Sequence, residues 1–77
     1  MPDDEEVVAA AVEAAEDVIF SRYANSEIED MDVTVRFEEG VLEVDVYLNV
    51  PGAEDEGRVA DDAALAARNA VDELLFD

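Results

Sequence analysis

The sequence contains no Cys, no His, no Trp and no Lys, and only 3 Gly and 2 Pro among its 77 residues. Without Cys and His, neither disulfides nor ordinary zinc ligation can stabilise a fold. Without His, Cys and Lys, the side chains that most often carry acid–base and nucleophilic catalysis are missing. The hydroxyl groups of Ser21, Ser26 and Thr34 have no evident base beside them. We therefore expect a protein that is not an enzyme and has no catalytic residue.

Several binding motifs are missing as well. Carboxylates abound, but residues 54–56 and 61–62 have neither the spacing nor the central Gly of a calcium-binding loop. The three Gly stand apart, so no phosphate-cradling loop is formed, and no basic patch with interleaved aromatics occurs. We expect no cofactor, no specific metal site and no direct nucleic-acid binding by the chain alone.

No apolar run reaches 18 residues, and the chain begins with the acidic stretch Met-Pro-Asp-Asp rather than with a basic segment and an apolar one. Neither membrane insertion nor secretion is indicated. The sequence predicts a cytoplasmic protein.

Acidic residues dominate what is present, with 23 Asp and Glu against 4 Arg and a formal net charge of -19. Disorder would require low hydrophobicity, but 51% of the residues are apolar and their spacing is periodic. An acidic mimic of nucleic acid that occupies a basic groove is one alternative. The absence of Lys and the small apolar residues are typical instead of haloarchaeal cytoplasmic proteins. Molar salt shortens the screening length to about 3 Å, so we expect high salt to be required for stability.

Helical periodicity begins near the N terminus, where Asp3 and Glu6 have the spacing of a capping box. Asn25 tolerates the left-handed conformation that ends many helices, so we predict a helix over 3–24. Its apolar stripe consists of Val8, Ala11, Val12, Ala15, Ile19 and Tyr23, with Val18 beside them. Phe20 lies off this stripe, which indicates either a ring folded over the helix end or a contact with a partner.

Strict alternation of apolar and polar residues follows, and it predicts strands over 31–38 and 41–50 around the Gly40 turn. Apolar residues fall on odd numbers in the first strand and even numbers in the second, so both apolar sets share one face of a hairpin. The predicted register pairs Phe37 with Leu42, Val35 with Val44, Val33 with Val46, Arg36 with Glu43, and Asp32 with Tyr47.

A second helix is predicted over 54–76, with a start anywhere between Ala53 and Arg58. Its expected buried face consists of Val59, Ala63, Ala66, Ala67, Ala70 and Leu74. The opposite side carries Arg58, Leu65, Asn69, Asp72 and Phe76. Two large apolar side chains, Leu65 and Phe76, are therefore expected on the surface.

The predicted fold is α+β, a two-layer α-β-β-α domain over 1–77 in which two helices pack on one face of an antiparallel hairpin. Two strands leave two open edges, and a chain of this length buries a thin core. A partner subunit would cover the missing surface, so we expect a homodimer or a heterodimer.

Two resemblances follow from particular segments. Residues 16–23 (EDVIFSRY), 32–40 (DVTVRFEEG) and 41–48 (VLEVDVYL) resemble a small archaeal family of uncharacterised proteins in its haloarchaeal form. The hairpin followed by an Ala-rich helix with Asn69 in its second half is similar to the Pcc subunits of the archaeal KEOPS complex, which installs threonylcarbamoyl adenosine on tRNA. This second resemblance implies an accessory subunit that dimerises, binds the transferase subunit and helps organise tRNA.

The sequence thus predicts a non-enzymatic adapter subunit of a haloarchaeal complex, with KEOPS subunits as possible partners. The alternative is an acidic nucleic-acid mimic or inhibitor of a basic partner. The candidate interaction residues are Phe20, Leu65, Phe76, Arg58 and Tyr47.

Overall fold

The computed structural model describes residues 3–76, and its elements follow the order helix, strand, strand, helix. The elements are α1 (Asp4–Arg22), a 3-10 turn (Asn25–Glu27), β1 (Asp30–Glu38), β2 (Val41–Asn49) and α2 (Glu56–Phe76). The predicted α+β class is confirmed, and the predicted bounds differ from these by two residues or fewer. Met1, Pro2 and Asp77, which the predicted domain includes, lie outside the described residues.

β1 and β2 form an antiparallel hairpin whose register matches the prediction at all five pairs. Glu39 and Gly40 make the two-residue turn, with φ of 52° and 79°. Two successive positive φ values suit a tight hairpin, because this turn has the same twist as the strands beside it. Glycine adopts such a φ without steric cost, whereas Glu39 does so against the usual preference of residues that carry a Cβ.

The hydrophobic core lies between one face of this hairpin and the two helices. Its buried residues are Val7, Ala11, Ala15, Ile19, Leu48, Val50, Val59, Ala63, Ala67 and Val71. On α1 the stripe is centred one residue earlier than predicted, because Val7 is buried and Val8 is only half-buried. On α2 the structure buries Val71, which the prediction had omitted, while the predicted Ala66, Ala70 and Leu74 stay half-buried.

The end of α1 also differs from the prediction. The helix ends at Arg22, and Tyr23 is already extended, with φ of -132° and ψ of 142°. Asn25 does not end the helix as predicted but opens the 3-10 turn, where Glu27 accepts a hydrogen bond from the Ala24 N–H at 2.9 Å. Side-chain contacts further along the chain therefore fix this boundary. At the other end Asp3 caps α1 as expected, accepting from the Glu6 N–H at 2.8 Å.

The two helices pack side by side and run antiparallel, since Arg22 at the end of α1 lies beside Asp62 near the start of α2. Small residues face the interior on both helices, and interaxial distances shorten as the side chains at a contact become smaller. The domain is elongated, with extents of 42 × 19 × 18 Å. One layer of helices thus covers one face of the hairpin, while the other face stays open to solvent.

Candidate interaction surfaces

Three polar contacts hold the end of the domain where α1 stops and α2 begins. The Tyr23 hydroxyl donates to Asp55, and Arg22 makes an ion pair with Asp62 at 3.2 Å. The Glu56 carboxylate, in the first turn of α2, accepts from the Val50 N–H at 2.7 Å. These contacts tie the start of α2 to α1 and to the end of β2.

Tyr23 has a shifted proton affinity as a result of this arrangement. Its hydrogen bond to Asp55, together with partial desolvation and the nearby negative charges, raises the pKa of Tyr23 to about 12. The neutral phenol is the form that donates this hydrogen bond, so ionisation would break the contact.

The outward side of α2 carries a line of exposed residues that we call the α2 stripe, which consists of Arg58, Leu65, Asn69, Asp72 and Phe76. Leu65 is 58% exposed and Phe76 is 81% exposed. Both lie opposite the buried Val59, Ala63, Ala67 and Val71. The prediction that this side of the helix is exposed is confirmed.

The two Arg residues of α2 are unusual in a chain this acidic. Within residues 3–76 the ion pairs are Arg22 with Asp62 and Arg36 with Glu43, so neither Arg58 nor Arg68 takes part in one. Both side chains are exposed. The outward surface of α2 therefore carries two cations, Arg58 and Arg68, that could pair with carboxylates beyond residues 3–76 or on another molecule.

The outward side of α1, which we call the α1 back, is acidic around one aromatic ring. Phe20 is 45% exposed and lies on the same side as Glu13 and Glu16, with Asp17 at the edge. About half of this ring is covered by the chain itself and the rest lies in solvent. Both predicted interpretations of Phe20, a ring folded over the helix end and a contact with a partner, remain predictions.

The outer face of the hairpin is polar except for two residues. Tyr47 is 54% exposed and Val41 is 62% exposed. Arg36 and Glu43 pair across the strands at 3.8 Å, and both remain largely in solvent. A shallow concave surface of about 270 Å³ lies beside this pair at the hairpin turn, where Glu38 and Val41 also line it.

The five predicted interaction residues all lie on the surface, but on three different sides of the domain. Leu65, Phe76 and Arg58 share the α2 stripe, Phe20 lies on the α1 back, and Tyr47 lies on the hairpin. Sequence analysis missed Val41 and Arg68. Val41 could have been found, because it breaks the alternation at an outward position of β2. Arg68 gave no local signal, since an exposed Arg on a helix is ordinary.

Among residues 3–76, no group of three or more carboxylates converges in a way that could hold a metal ion. Over the same residues, neither helix has the length and apolar content that crossing a bilayer requires. No buried side-chain nitrogen or oxygen in this part of the chain lacks a hydrogen-bond partner.

Comparison with known proteins identifies the family. Residues 3–74 match DUF3194, a family described as protein of unknown function. The chain belongs to DUF3194. It is 58% identical over 74 residues to an uncharacterized protein of Natronomonas pharaonis, and this match covers 96% of the chain and 89% of that protein. The resemblance to a small family of uncharacterised proteins is therefore confirmed as membership of DUF3194.

Two solved structures share this DUF3194 fold. A crystal structure from Thermococcus onnurineus NA1 is 29% identical, with a TM-score of 0.78, and the match covers 97% of this chain and 82% of that one. The solution structure of a hypothetical protein from Methanothermobacter thermautotrophicus is 25% identical, with a TM-score of 0.70 and coverage of 92% and 82%. None of these names states a role, so the resemblance to the Pcc subunits stays a prediction.

Proposed function

We propose that this DUF3194 protein is a non-enzymatic interaction subunit of a cytoplasmic complex in a salt-rich cell. The observation that carries the proposal is the exposure of Leu65 and Phe76 on one side of α2. Acidic residues are the largest group among the exposed positions of residues 3–76, and an apolar side chain left in solvent among them buries little surface in the folded monomer. Burial of these side chains against a partner would stabilise the complex by about 25 cal/mol for each Å² of apolar surface removed from water.

The acidity supports the salt-rich setting rather than a partner. Exposed carboxylates lie on both helices, on the outer face of the hairpin and in the connecting segments. Carboxylates spread over several sides of the domain do not form a single charged face that could fill a basic groove. At molar salt such charges are screened within about 3 Å, and the fold tolerates them.

In its specific form, the proposal is an accessory subunit like the Pcc subunits of KEOPS. The order of hairpin and Ala-rich helix, with Asn69 in its second half, supports this assignment. The predicted partner is then the transferase subunit of that complex.

Co-purification in molar KCl tests this proposal. A tagged chain is expected to retain a KEOPS subunit from a haloarchaeal lysate, and the variant Phe76→Asp is expected to lose it, because it places a charge in the apolar surface of α2 on which assembly of the complex would depend. Asp17→Asn on the α1 back is the control that should still retain the subunit. If the wild-type chain retained no KEOPS subunit, the assignment as a Pcc-like accessory subunit would be wrong.

A second candidate function, an acidic mimic of nucleic acid, is favoured by the net charge of -19. It makes the opposite prediction for salt. A contact made by charge is released as KCl rises, whereas an apolar contact holds or tightens. Washing the captured complex with increasing KCl therefore separates the two functions.

A further inference from the structure

The charges of the α2 stripe have a symmetric arrangement. Arg58, Leu65 and Asp72 follow one another at intervals of seven residues, so they lie along one line of the helix surface. The cation and the carboxylate are equally far from Leu65, on opposite sides of it along the helix. We propose that the α2 stripe packs against the α2 stripe of a second copy of this chain, with the two helices antiparallel and Leu65 at the two-fold axis.

The two-fold symmetry converts this spacing into ion pairs. In an interface of this kind, a residue a given distance before the axis faces the residue the same distance after it on the partner. Arg58 of one copy then faces Asp72 of the other, and the same pair forms again in the other half. A parallel arrangement would instead place Arg58 beside Arg58 and Asp72 beside Asp72. Charge complementarity therefore selects the antiparallel arrangement.

A second pair of charges fits the same axis. Asp61 lies four residues before Leu65 and Arg68 lies three residues after it, on the same flank of the α2 stripe. The symmetry brings Arg68 of one copy beside Asp61 of the other. Arg58 and Arg68 are the two cations without an ion pair within residues 3–76, and this arrangement supplies a carboxylate for each.

Phe76 acquires a contact from the same geometry. It lies eleven residues after the axis, so it faces residue 54 of the partner, just before the partner's α2 begins at Glu56. The ring would therefore extend past the start of that helix and cover the loop that contains Ala53. This contact accounts for the 81% exposure of Phe76 in the single chain.

The other exposed surfaces do not fit a second copy in this way. On the α1 back, the charged residues Glu13, Glu16 and Asp17 are all carboxylates, so a second copy of this surface would offer them no cation. On the hairpin, Arg36 already pairs with Glu43.

This inference rests on the proposed function, since it names the partner of one interaction surface. Reversal of the two charges tests it. Dimer dissociation constants would be measured by sedimentation equilibrium, at the lowest KCl concentration that keeps full helical circular dichroism. Arg58→Asp and Asp72→Arg are each expected to weaken the dimer about tenfold or more, because each places like charges face to face twice. The double variant R58D/D72R is expected to restore wild-type association, since it exchanges the two partners.

Controls with the same change of charge lie elsewhere. Arg36→Asp on the hairpin matches Arg58→Asp, and Asp17→Arg on the α1 back matches Asp72→Arg; both should leave the wild-type dissociation constant unchanged. Leu65→Asp, at the axis, should abolish the dimer. All these positions are exposed, so circular dichroism is expected to show folded variants.

Several results would overturn the inference: a monomeric wild type, single reversals without effect, or a double variant weaker than either single one. A monomer that still retains a KEOPS subunit in molar KCl would overturn self-pairing and leave the proposed function standing. A dimer that behaves as described but retains no other protein would support self-pairing and count against the proposed function.

Discussion

The outward surfaces of α1 and α2 differ in how their charges are spaced. On α1, Glu13 and Asp17 are four residues apart and repel each other, whereas on α2, Arg68 and Asp72 have opposite signs at the same spacing. Pairs at this spacing change helix stability by roughly 0.2–0.5 kcal/mol, with a sign set by the charges. Five exposed carboxylates accompany one Arg on α1, and three accompany two Arg on α2.

This difference separates two roles of the surface. The α1 back accumulates negative charge, which suits the cation-rich solvent that we propose for this protein. The outward surface of α2 is closer to balanced, and its charges surround two large apolar side chains. In our proposal the composition of the whole chain reflects a salt-rich environment, while the local departure from that composition on α2 marks the proposed contact.

The largest expected effect is the loss of the fold itself at low salt. Below about 0.1 M salt the screening length grows to ~10 Å, and repulsion within the acidic surface destabilises the compact state. Helical circular dichroism is therefore expected to disappear on dialysis into dilute buffer. A chain that remains fully helical in dilute buffer would show that repulsion among the carboxylates does not destabilise the fold.

The next largest expected effect is the loss of stability on shortening a buried side chain of α1, because the inner side of this helix packs against the core. Ile19→Ala is expected to lower the free energy of unfolding by about 2–5 kcal/mol, because Ile19 is fully buried and its loss leaves a cavity. Phe20→Ala, one residue further and half in solvent, should change it by no more than ~0.5 kcal/mol. Denaturant titrations in molar KCl measure both, and equal losses would contradict the assignment of the two sides of α1.

Alkaline pH tests the hydrogen bond between Tyr23 and Asp55, which lies just before the start of α2. The pKa of Tyr23 is raised from 10.0 to about 12 in the folded chain, so its contribution to stability is fully present below pH 10 and is lost as pH rises toward 12. Stability is expected to fall through that window. Tyr23→Phe keeps the ring, and it should remove this part of the fall. An unchanged pH profile in the variant would mean that the Asp55 contact does not form in solution.

The smallest effect compares the two outward surfaces directly. Glu13→Gln with Asp17→Asn removes two like charges from the α1 back, and the KCl midpoint of folding should shift downward, for a gain of about 0.5 kcal/mol. Asp61→Asn with Asp72→Asn makes the same change of charge on α2, where each carboxylate has an Arg neighbour, and should give no gain. Chemical denaturation of dilute samples measures the two double variants side by side. Equal gains in stability for the two double variants would contradict the proposed difference between the outward surfaces of α1 and α2.

Much of this fold is predictable because its patterns are local. The hairpin register follows from strict alternation around a two-residue turn, and both helices follow from their apolar period. The end of α1 is different, because Tyr23 leaves the helix to reach Asp55, and that contact spans 32 residues. The burial of Val7 in place of the predicted Val8 also depends on distant residues. The surface of α2 and β1 against which α1 packs, not the helical period alone, decides which edge of a broad apolar stripe is buried.

The candidate surfaces divide in the same way. A helical wheel is sufficient to place Leu65 and Phe76 outside, because both lie opposite a run of Ala and Val. The ion pair between Arg22 and Asp62 spans 40 residues and has no signature in local spacing. Only with that pair known is it clear that Arg58 and Arg68 take part in no ion pair within residues 3–76.

The central claim is that the acidic surface is adapted to salt-rich solvent, while the α2 stripe forms a contact with a second copy of the chain. The mass of the wild-type chain, measured by light scattering as KCl rises into the molar range, tests it most directly. The account predicts a dimer fraction that is held or grows with salt, because screening removes the repulsion between two acidic chains and the apolar contact remains. A mass that stays at 8.4 kDa, or a dimer that dissociates as salt rises, would contradict it.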